Sequence, residues 1–102
     1  MKVLITSALS ATAHRLKSKL NIDNVILGDY NDLPAFMLSS GKMIKLPDPC
    51  SFSYTHEMLA LCLDNLIDLV YVVDSGEIKL LLESKQLFAE YNIDIKVADD
   101  EI

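Results

Sequence analysis

Hydrophobic residues along this chain fall into five short aliphatic, often β-branched runs, separated by stretches with helical spacing. The first run is residues 2–6 (KVLIT), and the small, hydroxylated stretch from Ser7 to Ser10 that follows it predicts a strand leading into a turn. From Ser10 onward Ala13, Leu16 and Leu20 recur at helical spacing while Arg15, Lys17 and Lys19 take other directions, so a helix is expected over residues 10–20. Residues 25–28 predict a second strand, left through the turn formers Asp29, Asn31 and Asp32. Pro34 suits the first turn of a brief helix that Asn31 or Asp32 would cap and Gly41 would close. Residues 43–46 then form a third strand, ended by Pro47, Asp48 and Pro49.

Ser53 is the expected N-cap of a longer helix, with Glu57 in its first turn and Met58, Leu59, Leu61, Cys62, Leu63 and Leu66 on a broad apolar face. Residues 69–73 (LVYVV) are almost unbroken in hydrophobicity, the mark of a strand buried on both faces of a parallel sheet, and the best central partner for the first strand. After Asp74, Ser75 and Gly76 one helix is expected over residues 77–91, with Ile78, Leu81, Leu82, Phe88 and Tyr91 on its apolar side and Asn92 at its end. Residues 93–98 supply a fifth strand before the charged tail of Asp99, Asp100 and Glu101. Strict alternation with short connections implies an α/β domain of three layers, a five-stranded parallel sheet with helices on both faces, because each crossover must be right-handed and pack back on the sheet.

Size and charge narrow the partners. A chain of 102 residues, 51% hydrophobic and 24% charged, matches one domain spanning residues 1–102. Fifteen acids against nine bases leave a formal charge of -6, which repels a nucleic-acid backbone. No apolar run approaches the ~18 to 20 residues that cross a bilayer, so neither anchor nor export signal is expected. Cys50 and Cys62 are too few for a disulfide scaffold or a zinc knuckle, and reduced thiols in a cytoplasm are the expectation.

In sheets of this kind ligands gather beyond the carboxyl ends of the strands, near the point where strand order reverses. That edge holds the candidate substrate- or nucleotide-binding residues Ser7, Ser10, Asp29, Asn31, Asp74 and Glu77. A nucleotide-binding loop would place glycines after the first strand. Here Ser7, Ser10 and Ala13 keep the positions small, but Leu9 puts a side chain where a phosphate would approach. Asp29, 22 residues beyond Ser7, stands where an acid grips a ribose in dinucleotide-binding proteins, and it equally suits an ordinary turn. Asp74 and Glu77 flank Gly76 as either ligand-side acids or capping acids. His14 and His56 show no metal-ligand spacing with Cys50 or Cys62, and Cys62 reads as a small core residue. Neither a catalytic residue nor a metal ligand is expected.

The segments KVLIT with SALSATAHRL, VILGDYN, SSGKMIKLPDP, YTHEMLALC, IDLVYVVDSGEI and LFAEYNIDIKV, in this order and spacing, carry a resemblance over nearly the whole chain. The chain resembles the pre-ATP-grasp domain that precedes the catalytic domain in ATP-grasp ligases, particularly those similar to the carbamoyl phosphate synthase large subunit. Leu9 stands where that family usually has glycine, and Val72 and Val73 where it has a proline-containing strand end. The resemblance implies a Rossmann-like domain with strand order 3-2-1-4-5, packed beside an ATP-grasp domain or chain and forming one wall of its substrate cleft. It also implies that ATP and magnesium are held only by that other domain, and that this chain is non-catalytic alone, as a split subunit, remnant or fragment of such a ligase. The alternatives are a small nucleotide- or dinucleotide-binding module and a homodimeric interaction domain.

Overall fold

In the computed structural model the described residues are 2–20, 24–31, 33–39 and 43–98. The five hydrophobic runs become strands β1 (Val3–Ile5), β2 (Val25–Asp29), β3 (Met43–Lys45), β4 (Leu69–Val72) and β5 (Asp94–Val97). They form one sheet, ordered β3-β2-β1-β4-β5, and every pair is parallel. Between them run α1 (Ala11–Leu20), α2 (Ala35–Ser39), α3 (Tyr54–Asp64), and the pair α4 (Ser75–Glu83) and α5 (Lys85–Ala89). The α/β Rossmann-like architecture and its strand order agree with the expectation. Asp32, Gly41 and the acidic tail lie outside the described residues.

Alternation along each strand divides the core into two layers. Leu4, Val70, Val72 and Ile95 face α3, α4 and α5, packing with Met58, Leu59, Cys62, Leu81 and Phe88. Val3, Ile5, Leu69 and Tyr71 face α1, packing with Ala13 and Leu16. All four residues of β4 are buried, as the LVYVV run requires of a strand flanked by β1 and β5. At the sheet's margin, register pairs Asp94 with Leu69 and Lys96 with Tyr71, which puts two exposed charged side chains on the α1 side of β5. Charges on an edge strand discourage pairing with another sheet.

The single helix expected over residues 77–91 is broken. Ser84 takes φ −105° and ψ 10°, its amide donates to the Leu81 carbonyl at 3.2 Å, and a new helix restarts with Phe88 donating to Ser84 at 3.2 Å. Serine is a weak helix former, and its hydroxyl lies 3.5 Å from that of Thr55 on α3. Leu81 and Phe88 both remain fully buried across the break, whereas Leu82 and Tyr91, expected on the same apolar side, are 43% and 49% exposed. Ser53 occupies the N-cap position of α3, but its hydroxyl makes no capping bond. The Ser51 hydroxyl braces the turn before the helix, accepting the Ser53 amide at 3.3 Å and donating to Glu57 Oε2 at 3.0 Å.

Two helix ends close through a left-handed residue. After α3 the Ile67 amide reaches the Cys62 carbonyl and the Leu66 amide reaches Leu63, with Leu66 at φ 57°. After α5 the same pattern joins Ile93 to Phe88 and Asn92 to Ala89, with Asn92 at φ 62°. Asn92 thus terminates this segment as expected.

Candidate functional site

The carboxyl edge of the sheet carries the loops after β1, β2, β3 and β4, and the first of these decides what the edge can bind. Ser7 sits in the left-handed region at φ 57°, which turns the chain sharply into α1. Ser10 caps that helix: its hydroxyl donates to the Ser7 carbonyl at 2.8 Å and accepts the Ala13 amide at 3.2 Å. The intervening amides are consumed internally. Ala8 donates to the Gly28 carbonyl at 2.9 Å, Leu9 to Asp29 Oδ2 at 3.2 Å, and Ser10 to the Ser7 carbonyl at 2.9 Å. A phosphate held by such a loop would need those donors, and the protein's own oxygens already occupy them. The Leu9 side chain stands 53% exposed above this turn.

Asp29 closes the second loop as well as the first. It is 3% exposed, and Oδ1 accepts both the Asn31 amide at 2.9 Å and its Nδ2 at 3.1 Å while Oδ2 holds Leu9. Its carboxylate is therefore turned inward as a clamp between the β1 and β2 loops, and Asn31 is one of the groups clamped. Gly28, next to it, lets Leu46 approach: a Cβ there would stand 2.7 Å from Leu46 Cδ2. Thr6, fully buried, extends the same bracing to β4 by accepting the Val73 amide at 2.9 Å through Oγ1.

Asp74 and Glu77 divide their roles. Asp74 is the N-cap of α4 and accepts the Glu77 amide at 3.2 Å. Glu77 has no exposed surface, and its Oε2 accepts the Tyr54 hydroxyl at 2.6 Å, joining the starts of α3 and α4. Burial, opposed by the Tyr54 hydrogen bond and reinforced by Asp74 and Asp29, raises the Glu77 carboxyl to about 7. Burial likewise raises the Tyr54 hydroxyl well above the usual tyrosine range, with Glu77 adding to it. Tyr30 is also raised, by Asp74 first, then burial, Glu77, Asp29 and Asp48, which places its ring among the acids of this edge. Lys45 donates to the Tyr30 carbonyl at 2.6 Å.

Sequence reasoning located the six edge residues but missed Thr6, Tyr30 and Tyr54. An aromatic residue bearing a hydroxyl at a helix start is the one available signal for Tyr54. His14, His56 and Cys50 are exposed and dispersed, Cys62 is buried with its thiol pushed up to about 12 by desolvation, and among the described residues no three acids, histidines or cysteines gather as metal ligands. A shallow depression of about 190 Å³, lined by Ala89, Asn92, Ile93 and Asp94, lies at the opposite, amino-terminal end of β5.

The parallel order and the switch between β1 and β4 define a Rossmann-like α/β domain. Among solved structures, L-threonine 3-dehydrogenase from Trypanosoma brucei is similar to it, with a TM-score of 0.55 and 22% identity over 92% of this chain and 35% of the dehydrogenase chain. The chain thus spans about a third of that enzyme's length, and the likeness is one of fold. No protein-family profile and no curated protein sequence matches the chain. Among the described residues no helix is long and apolar enough to cross a membrane.

Proposed function

We propose that this chain is a non-catalytic Rossmann-like module of the pre-ATP-grasp type, which forms one wall of a site that an ATP-grasp domain or chain completes. One observation carries the reading: the amides of Ala8, Leu9 and Ser10, which a nucleotide-binding loop would offer to phosphate, are bonded to Gly28, Asp29 and Ser7. An edge so braced is rigid and acidic, suited to shaping a neighbouring cleft rather than to gripping a polyphosphate. In this reading ATP and magnesium belong to the partner, as in the carbamoyl phosphate synthase-like ligases that the sequence resembles, and the module is cytoplasmic.

The test is a thermal-shift series with ATP, NAD and NADP, followed by titration with a carbamoyl phosphate synthase-like ATP-grasp chain. A ligand present at 100 times its dissociation constant adds about 2.7 kcal/mol, which moves Tm by about 10 °C or more at this size. No shift with the three nucleotides, no ATP hydrolysis by the chain alone and co-elution with the ATP-grasp chain are expected. A nucleotide-induced shift of that size would establish the dinucleotide- or nucleotide-binding alternative instead, and concentration-dependent self-association without co-elution would establish the homodimer.

A further inference from the structure

Three large apolar side chains stand open to solvent at the carboxyl edge of the sheet, each from a different crossover. Leu9, in the turn after β1, is half-exposed, Phe36, in the first turn of α2, is 70% exposed, and Phe52, in the loop after β3, is fully exposed. A phenylalanine so placed stabilises nothing by burial within its own chain, and apolar side chains gathered on one edge mark a contact surface. The backbone holds two of them in place. The Leu9 amide is bonded to Asp29 Oδ2 at 3.2 Å; before and after Phe52, the Cys50 and Ser51 amides bond to Asp48 at 2.9 Å each and the Tyr54 amide to the Ser51 carbonyl at 3.2 Å. Turns already fixed present these side chains at little further cost in ordering.

The same edge carries acids whose charge the chain does not neutralise there. Asp48 accepts the Cys50 amide, Glu57 the Ser51 hydroxyl at 3.0 Å and Asp74 the Glu77 amide at 3.2 Å, all neutral donors. Behind Asp74 in the same turn, fully buried Glu77 leaves Oε1 without a donor among the described residues. Lys45 is the one lysine or arginine described in these loops and first helical turns, and its amine is turned to the Tyr30 carbonyl at 2.6 Å; Arg15, a turn further along α1, donates to Thr12 at 3.4 Å. The sheet order β3-β2-β1-β4 sets the loops bearing Phe52, Phe36, Leu9 and Asp74 side by side, over about 15 Å at about 4.8 Å per strand. The Tyr54 hydroxyl, bonded to Glu77 at 2.6 Å, ties the turn of Phe52 to the helix that Asp74 caps.

We propose that this edge is a docking surface for a protein segment that carries arginine or lysine side chains set among apolar ones: Leu9, Phe36 and Phe52 take its apolar side chains, and Asp48, Glu57 and Asp74 its cations. Charge complementarity selects this occupant. In a two-fold pairing of the edge with itself, acid would meet acid, and a polyanion would be repelled. The inference goes beyond the proposed function, since it gives the chemistry of the surface that docks and holds whichever chain supplies it.

The test titrates the ¹⁵N-labelled full chain with three synthetic peptides of equal length, alternating arginine with leucine, arginine with serine, and glutamate with leucine. Saturable shifts are expected with the arginine–leucine peptide alone, centred on the turns after β1 and β3 and the starts of α2 and α4. Phe52→Ala should weaken binding about tenfold or more, the effect of leaving one such side chain unburied. The double variant Asp48→Asn with Glu57→Gln, which keeps its acceptor oxygens, should bind severalfold more weakly and with a flatter salt dependence. Leu82→Ala, at the far end of α4, is the control and should bind as wild type does. No binding of the arginine–leucine peptide, shifts centred elsewhere, equal binding of the glutamate–leucine peptide, or Phe52→Ala binding like wild type would overturn the proposal. So would sedimentation showing concentration-dependent self-association that Phe52→Ala abolishes, which would give the patch to a second copy. The same variants, titrated with the ATP-grasp chain, separate the two readings. Wild type and Phe52→Ala binding it equally would sink the docking surface alone, whereas peptide binding at the edge without ATP-grasp binding would sink the proposed function alone.

Discussion

The Asp29 carboxylate holds the Leu9 amide at 3.2 Å, so the anion nearest the first crossover loop is part of the protein. Through its other oxygen the same side chain takes the amide and the side chain of Asn31, and one buried acid thereby fixes two neighbouring loops. This arrangement turns an edge that ordinarily receives phosphate into a self-contained brace.

Replacing Asp29 with asparagine sets an NH₂ group against donors. The side chain retains one acceptor oxygen where the carboxylate served three donors, leaving at least one part-buried amide unpaired. The expected loss is about 1 to 3 kcal/mol, read as a lower urea midpoint with an unchanged slope. Unaltered stability would mean that the clamp does not form in solution.

Thr6→Val tests the brace on its other side. Valine matches threonine in shape but removes the Oγ1 that accepts the Val73 amide at 2.9 Å, at a position with no exposure. The stranded amide at the end of β4 should cost about 1 to 3 kcal/mol. Hydrogen exchange at Val73 should rise in step, and a protected Val73 amide in the variant would contradict this assignment.

The sheet was legible because its signals are local. Each strand is a run of apolar residues bounded by turn formers, and the LVYVV run shows its burial on both faces directly. Asp29, Asn31, Asp74 and Glu77 could be placed at the carboxyl edge because strand ends fix that edge. What each acid does was not legible. Glu77 reads as either a ligand-side acid or a capping acid at a helix start, and the partner that permits its burial, Tyr54, is 23 residues away on another helix. The break at Ser84 was hidden for a related reason: Leu81 and Phe88 lie seven residues apart, so the apolar period runs through it unchanged. Asn92 announced its left-handed turn, whereas Leu66 did so in no way, since leucine seldom adopts that conformation.

Leu66 therefore offers a stabilising substitution. Its side chain is 77% exposed and contributes little to the core, while its φ of 57° carries the strain of a Cβ in the left-handed region. That strain is about 1 to 2 kcal/mol, from which the greater freedom of unfolded glycine subtracts about 0.5 to 1 kcal/mol. Leu66→Gly is expected to raise the unfolding free energy by about 0.5 to 1 kcal/mol by urea titration. Asn92→Gly, starting from a residue that tolerates this region, should gain less. A destabilised Leu66→Gly would show that the exposed leucine makes contacts in solution that outweigh its backbone strain.

The cost of removing the Tyr54 hydroxyl should depend on pH, and the direction identifies the charge state of Glu77. Above about 7 the folded protein carries Glu77 ionised, with Tyr54 as the one donor bonded to it among the described residues. Tyr54→Phe then strands a buried charge and should cost about 1.5 to 3 kcal/mol, the range of hydrogen bonds to charged groups. At pH 5 the folded-state carboxyl is neutral, because its value is raised above 4.5, and the same variant loses a neutral hydrogen bond of about 0.5 to 1.5 kcal/mol. Urea midpoints at pH 5 and pH 8 measure the difference directly. A penalty that stays constant, or grows toward low pH, would place the Glu77 proton in the ordinary carboxylate range and remove the basis for assigning it a neutral form in the folded protein.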